Sequence, residues 1–285
     1  MMNQEIINLY DEYTHKPLAR QEFLTRLAKL AGGTAAAMSL LPLLEVNYAH
    51  AATIAADDLH TERASYMGDG QTMSGYLARP IPTGKYAAVV VIHENRGLNP
   101  HTEDVARRLA SKGYLAFAPD ALSPLGGAPA DNADAARELF GKLDAQQTTR
   151  NFLKAFEYLA GRPDVNGKMA CIGFCWGGAM ANSMAVMVPT LKAAIPFYGR
   201  QPKPEEVPAI KAAVQLHYAG LDERVNAGIP AYEAALKANN KQYELYMYEG
   251  ANHAFFNDTA PTRYSKEAAD LAWQRVLAFL AKHLA

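Results

Sequence analysis

The segment Lys168–Ser183 runs from an apolar stretch through a sharp turn into a row of small residues, and it restricts the fold more than any other part of the chain. The turn is Gly173–Gly177, G-F-C-W-G, whose two outer glycines let a helix approach the preceding strand closely. Such a turn lifts its central side chain, here Cys175, above the end of a sheet. The helix N-terminus that follows stabilises a thiolate and directs the backbone N–H of Trp176 toward a developing oxyanion. We therefore predict an activated cysteine at a strand end; the alternative is a buried structural thiol, the role that suits Cys171 inside the strand.

Apolar runs alternate with helical patterns from about Ala52 onward. Tyr86–Ile92 is typical, because a continuous apolar run with β-branched residues indicates a strand buried on both faces. Strands that alternate with helices predict an α/β fold with a mainly parallel central sheet and helices on both faces. The strands are predicted at Tyr86–Ile92, Tyr114–Ala118, Met169–Gly173, Ala193–Phe197, Ala213–Ala219 and Tyr243–Tyr248, and the helices at Thr102–Lys112, Arg150–Leu159, Ile229–Asn239 and Lys266–Leu284.

The composition excludes several classes of protein. The 285 residues carry 28 basic and 29 acidic side chains, a net charge of −1, which offers no basic face for a nucleic acid. With two cysteines, a disulfide framework and a Cys-rich zinc site are excluded. The chain has no Gly-rich nucleotide loop and no histidine–carboxylate spacing suited to a metal, so we expect no cofactor and no metal.

Residues 1–51 form an N-terminal extension, and residues 52–285 form the main domain. One interpretation of the extension is an export signal, because an uncharged stretch from Leu30 to Leu44 precedes Ala49-His50-Ala51, a form that signal peptidase accepts. Arg20-Gln21 then resembles a twin-arginine pair with glutamine at the second position. The other interpretation is an amphipathic helix, from Gln21 to about Leu41, packed on the main domain.

The same extension bears on the location of the protein. Its apolar stretch is too short for a permanent membrane span. A working signal would place the protein in the periplasm, but an oxidising compartment threatens a reactive thiol, which favours the cytoplasm slightly.

An acid and a histidine follow the cysteine in the order of a catalytic triad. Asp222 comes directly after the predicted strand Ala213–Ala219, and His253 lies in the loop after Tyr243–Tyr248. Because the carboxyl ends of parallel strands lie at one edge of a sheet, these side chains are predicted to meet Cys175. Asp222 would orient the imidazole, and His253 would exchange a proton with the sulfur. The alternatives are a helix-capping aspartate and an ordinary loop histidine.

Two further polar residues follow the strand Tyr86–Ile92. They are Glu94 and Asn95, at the position from which the second oxyanion N–H comes in this kind of site. We predict that the backbone N–H of Asn95 is this second hydrogen-bond donor to the oxyanion.

Five motifs together resemble the dienelactone hydrolase (carboxymethylenebutenolidase) family. They are H-E-N-R-G-L-N-P from His93, G-F-C-W-G-G from Gly173, F-Y-G-R from Phe197, G-L-D-E-R from Gly220 and N-H-A-F from Asn252. The resemblance covers about Ala52 to the C-terminus and implies the α/β-hydrolase fold. It further implies Cys175 as nucleophile, His253 as base, Asp222 as orienting acid, and Glu94 as a carboxylate that contacts the cysteine until substrate displaces it.

The chain departs from the family in its arginines. Family members that open dienelactones share two arginines that hold the substrate carboxylate. One lies in the loop after a strand that ends in Pro-Asp, and the other lies shortly after the histidine. Pro119–Ser123 and His253–Asn257 contain none. Arg96 and Arg200 are the substitutes we predict, with Tyr198 as a further substrate-binding residue; surface ion pairs are the alternative for the two arginines.

The sequence thus predicts a cysteine-dependent hydrolase of ester or lactone bonds that acts through an acyl-thioester and takes a small molecule as its partner. One alternative is a non-catalytic ligand-binding or redox-sensing protein that uses the same thiol. Another is a peptidase on the same fold. The oligomeric state is not predicted.

Overall fold

The computed structural model describes residues 2–48, 54–129 and 132–285, which form an eight-stranded sheet with helices around it. The strands are β1 (Leu59–Met67), β2 (Thr72–Pro80), β3 (Tyr86–Ile92), β4 (Leu115–Pro119), β5 (Val165–Phe174), β6 (Ala193–Phe197), β7 (Ala213–Ala219) and β8 (Tyr243–Tyr248). Their order in the sheet is β1-β2-β4-β3-β5-β6-β7-β8. β2 is antiparallel to both of its neighbours, and the other neighbouring pairs are parallel. The prediction of a mainly parallel sheet is confirmed.

Helices cover both faces of the sheet. In the described part of the chain they are α1 (Gln4–His15), α2 (Arg20–Ala31), α3 (Thr34–Leu44), α4 (Pro100–Ala110), α5 (Ala133–Phe140), α6 (Ala145–Ala160), α7 (Trp176–Met187), α8 (Glu223–Asn226), α9 (Ile229–Ala238) and α10 (Lys266–Leu284). Successive strand side chains point to opposite faces. In β3, Val90 and Ile92 therefore join one core with α6 and α7, while Val89 and Val91 join the other with α4 and α10.

Each strand and helix predicted in the main domain is present, with small shifts of its bounds. The sequence did not predict β1, β2, α5 and the short helix α8. The β1–β2 pair lies at the edge of the sheet, where several of its side chains face solvent and its apolar pattern is weak. Edge strands of this kind are recognised mainly through their pairing, which a sequence does not display.

The N-terminal extension differs from the predicted single helix between Gln21 and Leu41. The chain turns at Gly32, whose φ of 81° lies in the left-handed region, and α2 and α3 meet at an angle of 110°. Together with α1 they enclose a small core of their own around Phe23 and Leu27. The predicted cleavage form Ala49-His50-Ala51 lies outside the described residues.

Among the residues that the structure describes, no single helix is both long and apolar enough to cross a membrane. Helices α2 and α3, which are bent relative to each other, are long and apolar enough to span a membrane only if they are counted as one segment.

Gly173 is expected to tolerate no side chain, because a Cβ there would lie 1.9 Å from the carbonyl oxygen of Gly177. This oxygen belongs to the backbone and cannot turn aside as a flexible side chain could. Gly173→Ala should therefore destabilise the fold by about 3 kcal/mol or more through overpacking. Gly161→Ala is the matched control, since a Cβ at Gly161 would meet its nearest neighbour at an ordinary 3.6 Å. It should change the free energy of unfolding by less than about 0.5 kcal/mol. Urea unfolding measures both values, and equal values would contradict the close approach.

Candidate active site

The loops that leave five sheet strands meet at one edge of the sheet. Glu94 follows β3, Cys175 follows β5, Tyr198 follows β6, Asp222 follows β7 and His253 follows β8. Open α/β sheets bind their ligands outside the carboxyl ends of the strands. These side chains therefore lie where a parallel sheet holds a ligand.

Cys175 precedes α7 in a backbone conformation that L-residues rarely adopt, with φ 57° and ψ −113°. The packing of α7 on the sheet holds this strain, because a Cβ at Gly177 would lie 2.3 Å from the carbonyl oxygen of Ile92. Strained backbone of this kind concentrates at functional sites. The first N–H groups of α7 have no acceptor within the helix, and Cys175 lies at its N-cap.

His253 and Asp222 form a buried imidazole–carboxylate pair. Nδ1 of His253 lies 2.5 Å from Oδ2 of Asp222, and Oδ1 of Asp222 accepts a hydrogen bond from the N–H of Val225. Burial alone would raise the pKa of Asp222, but the His253 imidazole and the Arg224 guanidinium outweigh it and lower the pKa. Nε2 of His253 is buried and has no hydrogen-bond partner in the described part of the chain. This nitrogen is the one available for proton exchange.

A second histidine lies beside the sulfur, and it comes from α1. Nε2 of His15 is 3.0 Å from Sγ of Cys175, and the His15 ring meets that of His253 edge-on at a centroid distance of 4.6 Å. Nδ1 of His15 lies 3.1 Å from Oδ1 of Asp11. Burial alone would lower the pKa of His15, but Cys175 and Asp11 outweigh it and raise the pKa. One cysteine thus faces two imidazole–carboxylate pairs.

Helix α1 is held over the site by polar contacts. Nδ2 of Asn95 donates to the carbonyl oxygen of Thr14 at 2.8 Å, and the guanidinium of Arg96 donates to the Tyr10 hydroxyl at 3.0 Å. The cavity left at the sulfur is about 10 Å³, room for one water molecule. A substrate therefore cannot reach the sulfur while α1 is docked.

Glu94 lines this cavity without the expected contact to the cysteine. Its Oε2 accepts a hydrogen bond from Nδ2 of Asn257 at 3.0 Å, and His15 holds the position on the sulfur. Burial alone would raise the pKa of Glu94, but Arg263 and other nearby cationic groups outweigh it and lower the pKa. The carboxylate is therefore charged at neutral pH.

Two buried guanidinium groups line the same cavity, those of Arg96 and Arg263. Arg96 was predicted as a substrate-binding residue. Arg263 was missed, because it lies beyond the stretch His253–Asn257 in which an arginine was sought. Nε and Nη2 of Arg263 have no hydrogen-bond partner among the residues described. Buried donors of this kind suit an anionic group in the cavity.

The remaining predicted residues lie around the cavity. The N–H of Trp176 belongs to the first turn of α7, as the predicted oxyanion role requires. Tyr198 is buried, with its ring 4.9 Å from that of His253. Arg200 is exposed and lines a separate pocket of about 330 Å³ beside Trp176. The residues that line the cavity at the sulfur do not include Arg200.

His15 and Asp11 were missed by the sequence analysis. Their spacing of four residues places both on one face of a helix, but that pattern is common on solvated helices. No local pattern indicates that this face meets a thiol 160 positions away. The pairing follows from how α1 docks.

The elbow on a mainly parallel sheet, with an acid after β7 and a histidine after β8, defines an α/β-hydrolase. A sequence model of the Dienelactone hydrolase family matches residues 73–284. The chain belongs to this family and is a hydrolase. Helices α1, α2 and α3 lie outside the matched residues.

Known relatives agree with this assignment. The chain is 34% identical over 254 residues to a "Putative carboxymethylenebutenolidase" of Saccharolobus solfataricus, with 76% of this chain and 96% of the relative covered. It is 30% identical to a "Probable 2-oxo-3-(5-oxofuran-2-ylidene)propanoate lactonase" of Bradyrhizobium sp, with 76% and 92% covered. The crystal structure of a "Putative Dienelactone Hydrolase" from Klebsiella pneumoniae superposes with a TM-score of 0.71 at 30% identity, with 78% and 98% covered.

Removal of the His15 side chain should expose the sulfur. His15→Ala is expected to speed alkylation of Cys175 by iodoacetamide about tenfold, the equivalent of one lost hydrogen bond. The rate is measured by mass spectrometry in the same buffer for both proteins.

Two controls accompany this measurement. Cys171 should stay unmodified, because it is fully buried and burial raises its pKa to about 12. His60→Ala should leave the rate unchanged, since His60 lies on β1 with 40% of its side chain exposed. Equal rates in His15→Ala and the wild type would contradict the docking of α1 at the sulfur.

Proposed function

We propose that this protein hydrolyses esters or lactones of small carboxylic acids through an acyl-thioester on Cys175. The observation that carries the proposal is that Sγ of Cys175 and a ring nitrogen of His253 lie within 4.8 Å of each other, with Asp222 on the other side of that imidazole. The names of the relatives, a carboxymethylenebutenolidase and a lactonase, support the same class of substrate.

Acylation begins when Sγ of Cys175 attacks the substrate carbonyl and its proton passes to Nε2 of His253. The carbonyl oxygen becomes an oxyanion, for which the backbone N–H groups of Trp176 and Asn95 are the proposed donors. His253 then gives the proton to the leaving oxygen as the C–O bond breaks. The acyl group remains on sulfur as a thioester.

Deacylation repeats these steps with water as the nucleophile. Nε2 of His253 takes a proton from water, the hydroxide attacks the thioester, and the C–S bond breaks to release the acid. The imidazolium returns its proton to the sulfur. Asp222 keeps Nδ1 protonated and stabilises the imidazolium, and its lowered pKa keeps it charged for this task.

Substrate entry requires α1 to move. The docked helix leaves about 10 Å³ at the sulfur, so the substrate binds to a form in which α1 has left the cavity. Its departure also releases Arg96 from the Tyr10 hydroxyl. Arg96 and Arg263 then offer their guanidinium groups to the substrate, which favours one that carries a carboxylate.

Replacement of the sulfur tests the nucleophile. Cys175→Ala should abolish the turnover of p-nitrophenyl esters, because no thioester can form. Cys171→Ala is the matched control and should retain activity, since Cys171 is buried within β5 and lines no part of the cavity. Mass spectrometry should detect an acyl adduct on Cys175 in the wild type.

A screen of esters, lactones and thioesters on the wild type and on His15→Ala establishes the activity itself. Full activity in Cys175→Ala would overturn the assignment. A stable sulfenic acid or glutathione adduct on Cys175 without turnover of any substrate would support a redox sensor instead.

Replacement of the buried arginine tests the substrate class. Arg263→Met should lower kcat/KM about 10- to 100-fold for lactones that carry a carboxylate, the loss expected for a hydrogen bond to a charged group. It should change kcat/KM for neutral p-nitrophenyl acetate far less. Arg200→Met is the control and should affect neither substrate, because Arg200 lines the neighbouring pocket. An equal loss on both substrates would contradict carboxylate recognition by Arg263.

A further inference from the structure

We propose that His15, Cys175 and His253 form a binding site for a divalent zinc-type ion, which α1 completes when it docks. Sγ of the cysteine and one ring nitrogen of each histidine all lie within 4.8 Å of one another. Bond lengths of about 2.3 Å for Zn–S and 2.0 Å for Zn–N place the ligand atoms of a tetrahedral site roughly 3.3–3.6 Å apart. The distance from Sγ to Nε2 of His15 is 3.0 Å. Shifts of about 1 Å in the side chains therefore bring the three atoms to bonding geometry.

Both histidines are oriented as metal ligands are. A metal-bound imidazole almost always has its other nitrogen paired with a carboxylate or carbonyl group, which fixes the ring. Nδ1 of His15 lies 2.8 Å from the backbone carbonyl oxygen of Asp11, with a carboxylate oxygen of the same residue at 3.1 Å, and Nδ1 of His253 lies 2.5 Å from the Asp222 carboxylate. Each ring therefore presents Nε2 toward the sulfur. Nε2 of His253 is buried and lacks a hydrogen-bond partner within the described ranges, and an ion would satisfy it.

The donor set selects the class of ion. One thiolate and two imidazoles suit zinc and similar borderline-soft ions, whereas magnesium and calcium require oxygen ligands. The ion replaces the proton of the Cys175 thiol, which passes to solvent. Three protein ligands leave a fourth position for water. Glu94 lines the same cavity and is placed to accept a hydrogen bond from that water.

This inference does not depend on the hydrolytic function, because it requires only the arrangement of the ligands. If Cys175 is also the nucleophile, the bound ion occupies the sulfur and holds α1 over the site. The ion-bound form would then be a closed form of the enzyme. The alternative role for His15 is a hydrogen bond to the sulfur and no more, and the experiment below separates the two.

The test is a titration of the full chain with Co²⁺, a coloured substitute for zinc. The protein is purified in reducing buffer, stripped of metal with a chelator and titrated without oxygen. We expect a thiolate-to-cobalt charge-transfer band that saturates at one equivalent and disappears when Zn²⁺ displaces the cobalt. Cys175→Ser should lose the band, because an alcohol cannot supply it.

Variants of α1 separate ligation from docking. His15→Gln keeps a side chain of similar length that can hydrogen-bond to the sulfur but ligates zinc poorly, and it should weaken zinc affinity by more than about 100-fold. Asp11→Asn removes the charge near the imidazole but keeps the backbone carbonyl that faces Nδ1, so it should weaken zinc affinity less than His15→Gln does. His60→Ala should bind as the wild type does. Competition with a chromophoric chelator gives the affinities, and circular dichroism shows that each variant is folded.

Two results would overturn the inference. The first is the absence of stoichiometric Co²⁺ or Zn²⁺ binding by the wild-type chain. The second is His15→Gln binding Zn²⁺ as tightly as the wild type, which would leave α1 without a role as ligand. Neither result bears on ester hydrolysis, which is measured separately with Cys175→Ala and Cys171→Ala.

Discussion

The close contact of the α7 backbone with the backbones of β5 and β3 is the constraint on which the site depends. A Cβ at Gly173 would lie 1.9 Å from the carbonyl oxygen of Gly177, and a Cβ at Gly177 would lie 2.3 Å from that of Ile92, so helix and strands can come this near only at glycine. This approach holds Cys175 at a φ of 57° above the end of the sheet. The histidine and the acid arrive from β8 and β7 because parallel strands end at the same edge.

His15 is a second histidine in contact with the sulfur of Cys175. Cys175 faces the His253–Asp222 pair of the main domain and the His15–Asp11 pair of α1. In the function we propose, the first pair supports hydrolysis once α1 has moved, and the second closes the cavity to substrate. The same three donor atoms are those that a zinc-type ion requires. If both proposals hold, docking of α1 couples substrate access to the coordination of one sulfur.

Sequence patterns predicted the elements that bury apolar residues on a regular period. Tyr86–Ile92 and Lys266–Leu284 have the same bounds in the structure, because a buried strand and an amphipathic helix each display their environment in their own residues. The edge strand β1 lacked that signal. Arg263 was not predicted, because it lies well beyond His253 in the chain and only the fold of the loop brings it back to the cavity. The break at Gly32 divides the single amphipathic helix predicted from Gln21 to about Leu41.

The sequence by itself determined the α/β architecture, the elbow at Cys175 and the order of cysteine, acid and histidine, because strand ends and glycines are local properties of the chain. Only the tertiary structure decided what lies against the sulfur. His15 reaches it because α1, α2 and α3 fold around Phe23 and Leu27, and α1 then docks through Asn95 and Arg96. Such contacts join residues far apart in the chain through shape and hydrogen bonding, and no local pattern encodes them.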